Sequence, residues 1–268
     1  MDKRPIGVFD SGLGGLTAVR AIIKALPNEN IVYLGDTARV PYGPRSKEVV
    51  TKFALQDAKF LAKHNVKCMV IACNTASAYS YGEVKRKFSI PVFDAISGAS
   101  EKATKVSKTK RVGVIGTRGT IASHAYKNDI SKLDKKIVVF EEACPLFVPF
   151  VEEGEIKGEL ISKLVKKYLS PIKKSKVDTL ILGCTHYPII KNLIAKEIGP
   201  QVTLVDSAEE IAQKLKIFLK TKKMGAPNSL HPARYYYVTD LTDRFIKVAE
   251  MFLGERIKGK IRKATLGS

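Results

Sequence analysis

Two short apolar runs in the chain follow the same order of hydrophobic and polar positions. They are residues 66–75 (VKCMVIACNT) and 177–186 (VDTLILGCTH), each with a valine, two variable positions, three aliphatic residues, a small residue, a cysteine and two polar residues. An apolar run of this length between turn signals is typical of a buried parallel strand. The pattern therefore predicts that Cys73 and Cys184 each lie at the carboxyl end of a strand, where open α/β sheets bind ligands.

The duplication extends beyond the two cysteines. Strand-like runs ending in aspartate follow at residues 90–94 and 202–206, so that the aspartates lie 21 residues after Cys73 and 22 after Cys184. Upstream, residues 6–11 and 112–117 are each an apolar run that leads into a small-residue turn. We therefore predict an α/β fold of two pseudo-symmetric domains with mainly parallel sheets, one cysteine in each domain, and the active site in the cleft between them.

The remaining elements lie outside the repeat. An apolar run at 31–34 predicts a strand, Ser46 is suited to cap the helix that follows, and residues 207–210 form a capping box before another helix. At the C-terminal end, residues 235–239 predict a strand and residues 245–252 a helix, and we assign both to the first half. The predicted domains are residues 1–97 with 207–268, carrying Cys73, and residues 98–206, carrying Cys184.

Length and composition are those of an ordinary enzyme. A chain of 268 residues can bury a sizeable core. No apolar run approaches the roughly 18 residues that span a bilayer, and the N-terminus leads straight into a strand, so we expect a cytoplasmic location. The four cysteines include no C-x-x-C pair and are expected to be reduced, with Cys68 and Cys144 serving in packing.

The formal net charge of +20 is the unusual feature of the composition. A charge of this size raises the possibility of nucleic-acid binding. Most of the lysines, however, are spread over predicted helices and loops, and the densest group, residues 256–263, contains no aromatic side chain for base stacking. A basic nucleic-acid-binding protein is the alternative of a different class, and we do not expect specific nucleic-acid binding.

Residues 10–17 (DSGLGGLT) form a glycine-rich turn between the first strand and the first helix. The third glycine of a dinucleotide motif falls at Thr17, and the lysine of a P-loop is missing. The turn does present Asp10 and Ser11 near a helix N-terminus, which suits a zwitterion, although Asp10 could simply cap the helix. The loop at 35–44 is a second candidate for function, with a plain turn set by Pro41 and Gly43 as its alternative.

Two thiols that face each other across a cleft suit the transfer of a proton from one face of a carbon to the other. One thiolate removes the proton and the opposite thiol returns one, which inverts the configuration. Helix N-termini capped by Asn74 or Thr75, and by Thr185 or His186, are expected to lower or tune the thiol pKa.

His186 and Asp10 could exchange protons with the two thiols. Three other chemistries are weaker alternatives. A cysteine hydrolase uses only one cysteine, zinc held by Cys73, Cys184 and His186 would lack close ligand pairs, and pyridoxal phosphate needs a placed lysine and a phosphate cup.

Four segments together resemble the bacterial glutamate racemase family. They are residues 9–16 (FDSGLGGL), 36–43 (DTARVPYG), 72–76 (ACNTA) and 183–188 (GCTHYP). The resemblance implies a cofactor-independent isomerase that interconverts L- and D-glutamate and supplies D-glutamate for peptidoglycan synthesis. It also implies a homodimer of subunits with two α/β domains, no metal and no membrane association.

The resemblance implies a role for individual residues. Cys73 and Cys184 match the catalytic cysteines, with Cys73 the base for D-glutamate and Cys184 the base for L-glutamate, while Asp10 and His186 match groups that assist them and Glu152 a helper. Related aspartate racemases carry glutamate at the position of His186, so this histidine favours glutamate, with aspartate racemase as the alternative. Substrate contacts are matched by Asp10, Ser11, Tyr42, Gly43, Asn74, Thr75, Thr185 and His186, with Thr117 and Thr120 as further contacts.

Overall fold

The computed structural model describes residues 1–228, 231–241, 245–257 and 261–267. Residues 258–260 of the basic terminal group therefore lie outside the described residues. The described part contains ten strands: β1 Ile6–Asp10, β2 Ile31–Gly35, β3 Cys68–Ile71, β4 Val92–Asp94, β5 Arg111–Gly116, β6 Val138–Ala143, β7 Thr179–Gly183, β8 Thr203–Asp206, β9 Arg234–Val238 and β10 Ile261–Lys263.

The strands form two sheets in which every neighbouring pair is parallel. The first sheet has the order β10-β9-β2-β1-β3-β4 and the second the order β6-β5-β7-β8. In both sheets the strand that leads to a cysteine, β3 or β7, lies between the first strand of the repeat and the strand that ends in aspartate. The predicted fold class and the duplication are confirmed, and β3 and β7 are fully buried, as their unbroken apolar runs predict.

Helices connect successive strands and cover the faces of both sheets. Helix α8 shows why they form where they do, because its apolar residues recur at helical spacing and Ile161, Val165, Leu169 and Ile172 are buried. The helices are α1 Leu16–Ala25, α2 Lys47–Ala62, α3 Asn74–Lys87, α4 Ser97–Val106, α5 Arg118–Ala122, α6 Ala125–Leu133, α7 Phe147–Glu152, α8 Glu159–Lys174, α9 Lys191–Ile198, α10 Ser207–Thr221 and α11 Phe245–Leu253, with a 3-10 helix at Tyr187–Ile190.

The C-terminal segment returns to the first sheet. Strand β9 pairs with β2, so the strand predicted at 235–239 lies in this sheet, one residue earlier than expected. Helix α10 packs against both α1 and α4, and α11 packs against α1. Because α10 contacts elements on both sides, the domain boundaries at 97 and 207 stay a prediction.

Of the two helix caps predicted outside the cysteine segments, one is confirmed and one is wrong. Ser46 caps α2, with its Oγ accepting from Val49 N–H at 3.4 Å, as predicted. The capping box at 207–210 is wrong, because Asp206 Oδ1 accepts from Ala208 N–H at 2.9 Å and Ser207 is already helical. Asp94 Oδ1 accepts from Ile96 N–H and Ser97 N–H, both at 2.8 Å, in the turn that precedes α4, but it is not the N-cap of that helix. Among the described residues, no helix combines the length and the apolar character that crossing a bilayer requires.

Candidate active site

Cys73 lies just beyond β3, at the N-terminus of α3. Its Sγ accepts a hydrogen bond from Ala76 N–H at 3.5 Å, so this cysteine is itself the N-cap of the helix. Asn74 and Thr75 belong to the first helical turn, and the expectation that one of them caps α3 is wrong. The thiol is therefore the group directed at the free N–H groups of the helix end.

Cys184 follows β7 directly and precedes the 3-10 helix. No side-chain cap begins that helix at His186, contrary to expectation. Nδ1 of His186 lies instead 3.9 Å from Cys184 Sγ and 3.4 Å from Thr185 Oγ1. An imidazole beside a thiol can accept and return its proton.

Both cysteines line one cavity between the two halves, with a volume of about 30 Å³. Pockets that hold small ligands usually measure about 300–1,000 Å³, so an amino acid can enter this one only when the surrounding groups move apart. A larger cleft of about 910 Å³ lies between α1 and α10 and contains neither cysteine. The predicted site residues that line the small cavity are Ser11, Tyr42, Gly43, Cys73, Asn74, Thr75, Thr117, Cys184, Thr185 and His186.

Three predicted residues, Asp10, Glu152 and Thr120, are not among those that line this cavity. Each nevertheless interacts with a residue that does line it. The carboxyl of Asp10 is close enough to Cys73 to influence the pKa of its thiol, Glu152 pairs with His186, and Thr120 bonds to Thr75. Among the described residues, no group of three His, Cys, Asp or Glu side chains is placed to hold a metal ion.

The surroundings of Cys73 favour its neutral thiol. Burial, followed by the charge of Asp10, raises the pKa of this thiol to about 12, although the hydrogen bonds from Ser11 and Ala76 oppose the shift. The expectation of a lowered pKa at Cys73 is therefore wrong for this closed form. One N–H group of a helix end does not compensate for removing a thiolate from water.

His186 is buried and forms an ion pair with Glu152. Its Nε2 lies 2.9 Å from Glu152 Oε1, and its ring meets Phe252 edge to face with centroids 5.0 Å apart. Burial alone lowers the pKa of His186, but the hydrogen bonds to Cys184 and Glu152 outweigh it and raise the pKa to about 10. The imidazolium form is thus favoured, which places a positive charge beside Cys184 Sγ.

Asp10 combines both roles that its sequence context allows. Its Oδ2 accepts from Gly12 N–H at 3.1 Å and from Gly15 N–H at 2.9 Å, next to the start of α1. Its Oδ1 is buried and has no hydrogen-bond partner among the described residues. Burial raises the pKa of Asp10, against the lowering effect of His186 and the backbone donors. One oxygen therefore fixes the turn, and the other is free to exchange a proton or meet a cation.

Tyr42 contributes to the cavity wall, but its hydroxyl points elsewhere. That hydroxyl contacts the carboxylates of Asp36 and Asp57, and the side chain is buried. The next residue, Gly43, accepts at its carbonyl from Gly119 N–H of the other half at 2.9 Å. A substrate contact from this part of the loop would therefore come from the backbone.

Polar groups from both halves meet at the N-terminal end of α3. The hydroxyl of Thr75 lies 2.8 Å from that of Thr117 and 3.2 Å from that of Thr120. The amide of Asn74 donates to Ser207 Oγ at 3.3 Å and accepts from Tyr126 OH at 2.6 Å.

Sequence reasoning missed Tyr126 and Ser207, which hold Asn74, and the apolar lining residues Val40, Pro41 and Val148. Tyr126 lies on α6 and Ser207 begins α10, far from the cysteine motifs in sequence, and no local pattern identifies either as a partner of Asn74.

The glycine-rich turn has a steric function. A Cβ on Gly14 would lie 2.3 Å from Thr185 Oγ1 and 2.5 Å from the His186 ring. We expect Gly14→Ala to lower kcat/KM by at least about tenfold, because overpacking by one methyl group in such a contact typically costs 1–3 kcal/mol. Steady-state kinetics and thermal unfolding measure the effect.

Gly82→Ala is the matched control. Gly82 lies within α3, and a Cβ added there would meet nothing within 4 Å. The change should therefore leave the rate unaltered and raise stability by about 0.5–1 kcal/mol. Full activity of Gly14→Ala would show that the turn and His186 do not need this close contact.

Comparison with known proteins places the chain among amino-acid racemases. The family model for Asp/Glu/hydantoin racemases matches residues 6–215. A glutamate racemase of Geobacter metallireducens is 46% identical over 257 residues, covering 96% of this chain and 95% of the relative.

Solved structures agree over nearly the whole length. The glutamate racemase of Francisella tularensis, in complex with D-glutamate, superposes with a TM-score of 0.92 at 41% identity and covers 99% of each chain. A glutamate racemase isoform of Bacillus anthracis gives a TM-score of 0.95, also at 41% identity and 99% coverage of each chain. The chain is similar to these enzymes in both sequence and fold.

Proposed function

The chain belongs to the Asp/Glu/hydantoin racemase family, and from this premise we propose that it interconverts L- and D-glutamate by two-base proton transfer at Cα, without a cofactor. The observation that carries the proposal is the pair of cysteines at equivalent strand ends, which line one cavity from two related halves. Each cysteine has its own acid–base neighbour, Asp10 for Cys73 and His186 with Glu152 for Cys184.

In the direction from L- to D-glutamate, Cys184 acts as the base. Its thiolate takes the Cα proton, and the electron pair of that C–H bond stays on the substrate as a carbanion. Cys73 then gives its thiol proton to the opposite face of Cα, forming the new C–H bond and leaving a thiolate. In the reverse direction the two cysteines exchange these roles.

The neighbouring groups restore the protonation states between turnovers. After the turnover described, Cys184 holds the abstracted proton. The imidazolium of His186 can accept that proton at Nδ1 only in exchange for one of its own, which leaves through Nε2 to Glu152. Cys73 is then a thiolate and needs a proton back, which the free Oδ1 of Asp10 can supply, and in the reverse direction the same oxygen can accept one. Hydrogen-bond donors that line the cavity, among them Asn74, Thr75 and Thr185, fit the carboxylates of an amino acid.

The direct test follows optical activity when the purified protein is mixed with each enantiomer of glutamate and aspartate, without added cofactor. We expect the circular dichroism of either glutamate enantiomer to decay to zero, because the two enantiomers have equal free energy, while aspartate changes little. Faster loss of signal with aspartate would assign the chain to the aspartate racemase alternative. No loss with any of the four would overturn the proposal.

The remaining parts of the proposal concern where and with what the enzyme works. We propose that it supplies D-glutamate for peptidoglycan synthesis in the cytoplasm, where four buried free thiols stay reduced. We also propose a homodimer, which light scattering after gel filtration would test.

The charge of +20 has no part in this mechanism. Binding of nucleic acid through it should weaken steeply with salt and show no sequence preference.

A further inference from the structure

The loop at 36–43, which reaches the cavity through Tyr42 and Gly43, is anchored from behind by a buried polar cluster. Arg39 bonds to Asp36 Oδ2 through Nε at 2.6 Å and to Asp57 Oδ1 through Nη2 at 3.1 Å. The hydroxyl of Tyr42 contacts Asp36 Oδ2 at 2.5 Å and Asp57 Oδ2 at 3.0 Å. Both carboxyl groups are completely buried.

The hydrogen bonds of this cluster require one more proton than Tyr42 and two ionised carboxylates can supply. The Tyr42 hydroxyl has a single proton but meets two carboxyl oxygens, and a carboxylate can only accept. Asp36 also accepts hydrogen bonds from Arg39 Nε and, at 3.0 Å, from Thr239 Oγ1, so these contacts fit an ionised carboxylate. The contact of Asp57 Oδ2 with the tyrosine oxygen then joins two acceptors, unless Asp57 carries a proton.

The charges of the cluster lead to the same assignment. It contains two carboxyl groups but one guanidinium, so it is neutral only if one carboxyl is protonated, and an unpaired buried charge is costly. Burial, and after it the charge of Asp36, raises the pKa of Asp57 well above its usual range, against the lowering effect of Arg39 and Tyr42. The titratable and charged groups that face Asp57 are Asp36, Arg39, Tyr42, Asp10 and Tyr33.

We propose that Asp57 is a neutral carboxylic acid at neutral pH, and that its hydroxyl donates to Tyr42, which in turn donates to Asp36. Asp57 is thereby a positioning residue that holds the loop against the cavity. Its part in catalysis rests on the proposed racemase function, whereas its protonation state does not.

Two substitutions of the same kind give opposite expectations. In Asp57→Asn, the amide oxygen can accept from Arg39 and the amide N–H can donate to Tyr42, which reproduces the protonated acid. In Asp36→Asn, the neutral amide leaves the guanidinium of Arg39 without a charged partner, because Asp57 is already neutral in the proposed arrangement. We expect kcat/KM within about twofold of wild type for Asp57→Asn, and a loss of at least about tenfold for Asp36→Asn and Asp57→Ala, mostly through KM.

The dependence of stability on pH tests directly whether Asp57 carries a proton in the folded protein. Because the folded pKa of Asp57 is raised, its contribution to stability is complete below the unfolded value of about 3.9 and is lost as pH rises. Asp57→Asn removes this loss, so its Tm should exceed that of wild type by at least about 2 °C at pH 7 and equal it near pH 4. Infrared difference spectra at pH 7 should show the carbonyl band of a protonated acid in wild type that Asp57→Asn lacks.

The outcomes separate this inference from the proposed function. Absence of that band, or a loss of Tm at pH 7 in Asp57→Asn as large as in Asp36→Asn, would overturn the assignment of the proton to Asp57. A chain that shows the band and the stabilised variant but does not racemise glutamate would overturn the function alone. If the band and stability appear as expected but Asp57→Ala keeps wild-type KM, the positioning role is refuted.

Discussion

Replacing either Cys73 or Cys184 by alanine should lower the rate of glutamate racemisation by about 10³-fold or more. Inversion at Cα needs removal of a proton from one face and delivery of a proton to the other, and each variant lacks one of the two groups. Loss of a positioned acid or base usually costs 10²- to 10⁴-fold, and among the described residues no third thiol lines the cavity. The rate of decay of the circular dichroism of each enantiomer measures the loss.

Cys144→Ala is the matched control for both variants. Cys144 is also a buried free cysteine, but it lies outside the cavity, and its thiol donates a weak hydrogen bond to the carbonyl of Glu142 at 3.8 Å. We expect wild-type kinetics and a small loss of stability from the missing sulfur atom. A general effect of removing a buried thiol would instead slow all three variants alike.

Isotopes distinguish two bases from one. Since enantiomers are equal in free energy, kcat/KM must be the same in both directions, and only individual steps can differ. In deuterated water, a two-base enzyme should place solvent deuterium at Cα of each product enantiomer formed, because the thiol that donates differs from the one that abstracts. Near wild-type racemisation by Cys184→Ala would mean that the second cysteine segment is structural and that a one-base mechanism applies.

The sequence predicts those parts of the fold that local patterns determine. Strands β3 and β7 could be found because an unbroken apolar run bounded by turn residues has few other solutions. Strand β6 could not, since it lies at the edge of its sheet, is half-exposed along most of its length and ends in Glu141, Glu142 and Ala143. Strand β10 has only three residues, with two of them charged.

For the candidate site, too, the sequence predicts some features and not others. The motifs identify which residues line the cavity, because the carboxyl ends of parallel strands meet there. They do not show which atom of each residue is used, as the Tyr42 hydroxyl demonstrates by bonding to Asp36 and Asp57. The pKa of Cys73 was also beyond local reasoning, because the helix that should lower it is visible in sequence and the burial that raises it is not.

His186→Asn should reduce kcat/KM by about 10²-fold and change which step limits the rate. The loss should be confined to proton transfer at Cys184, since Nδ1 of His186 lies beside that sulfur and the group next to Cys73 is Asp10. L-Glutamate labelled with deuterium at Cα should then show a full primary isotope effect, because Cys184 removes that deuteron. Labelled D-glutamate should show little effect, because Cys73 removes its deuteron in a step that no longer limits the rate.

His124→Asn is the control, because this exposed histidine also pairs with a glutamate, Glu141, at 2.6 Å but lies outside the cavity. Asparagine tolerates its left-handed backbone, at φ 52°, so the control should fold and react as wild type does. Equal isotope effects for both enantiomers in His186→Asn would contradict the assignment of this histidine to Cys184.

The difference in stability between wild type and His186→Asn should decrease as the pH rises. The pKa of His186 is raised from about 6.5 in the unfolded chain to about 10 in the folded one. The stabilisation that its charged form gives is therefore complete below about pH 6.5 and is lost as pH rises through 10. Urea unfolding of wild type and His186→Asn should show a difference in free energy of unfolding that is constant below about pH 6.5 and shrinks steadily towards pH 10. A difference that stays constant over this range would show that the imidazole is neutral in the folded protein. Glu152 would then have no cation to balance, and His186 would meet Cys184 as a neutral base.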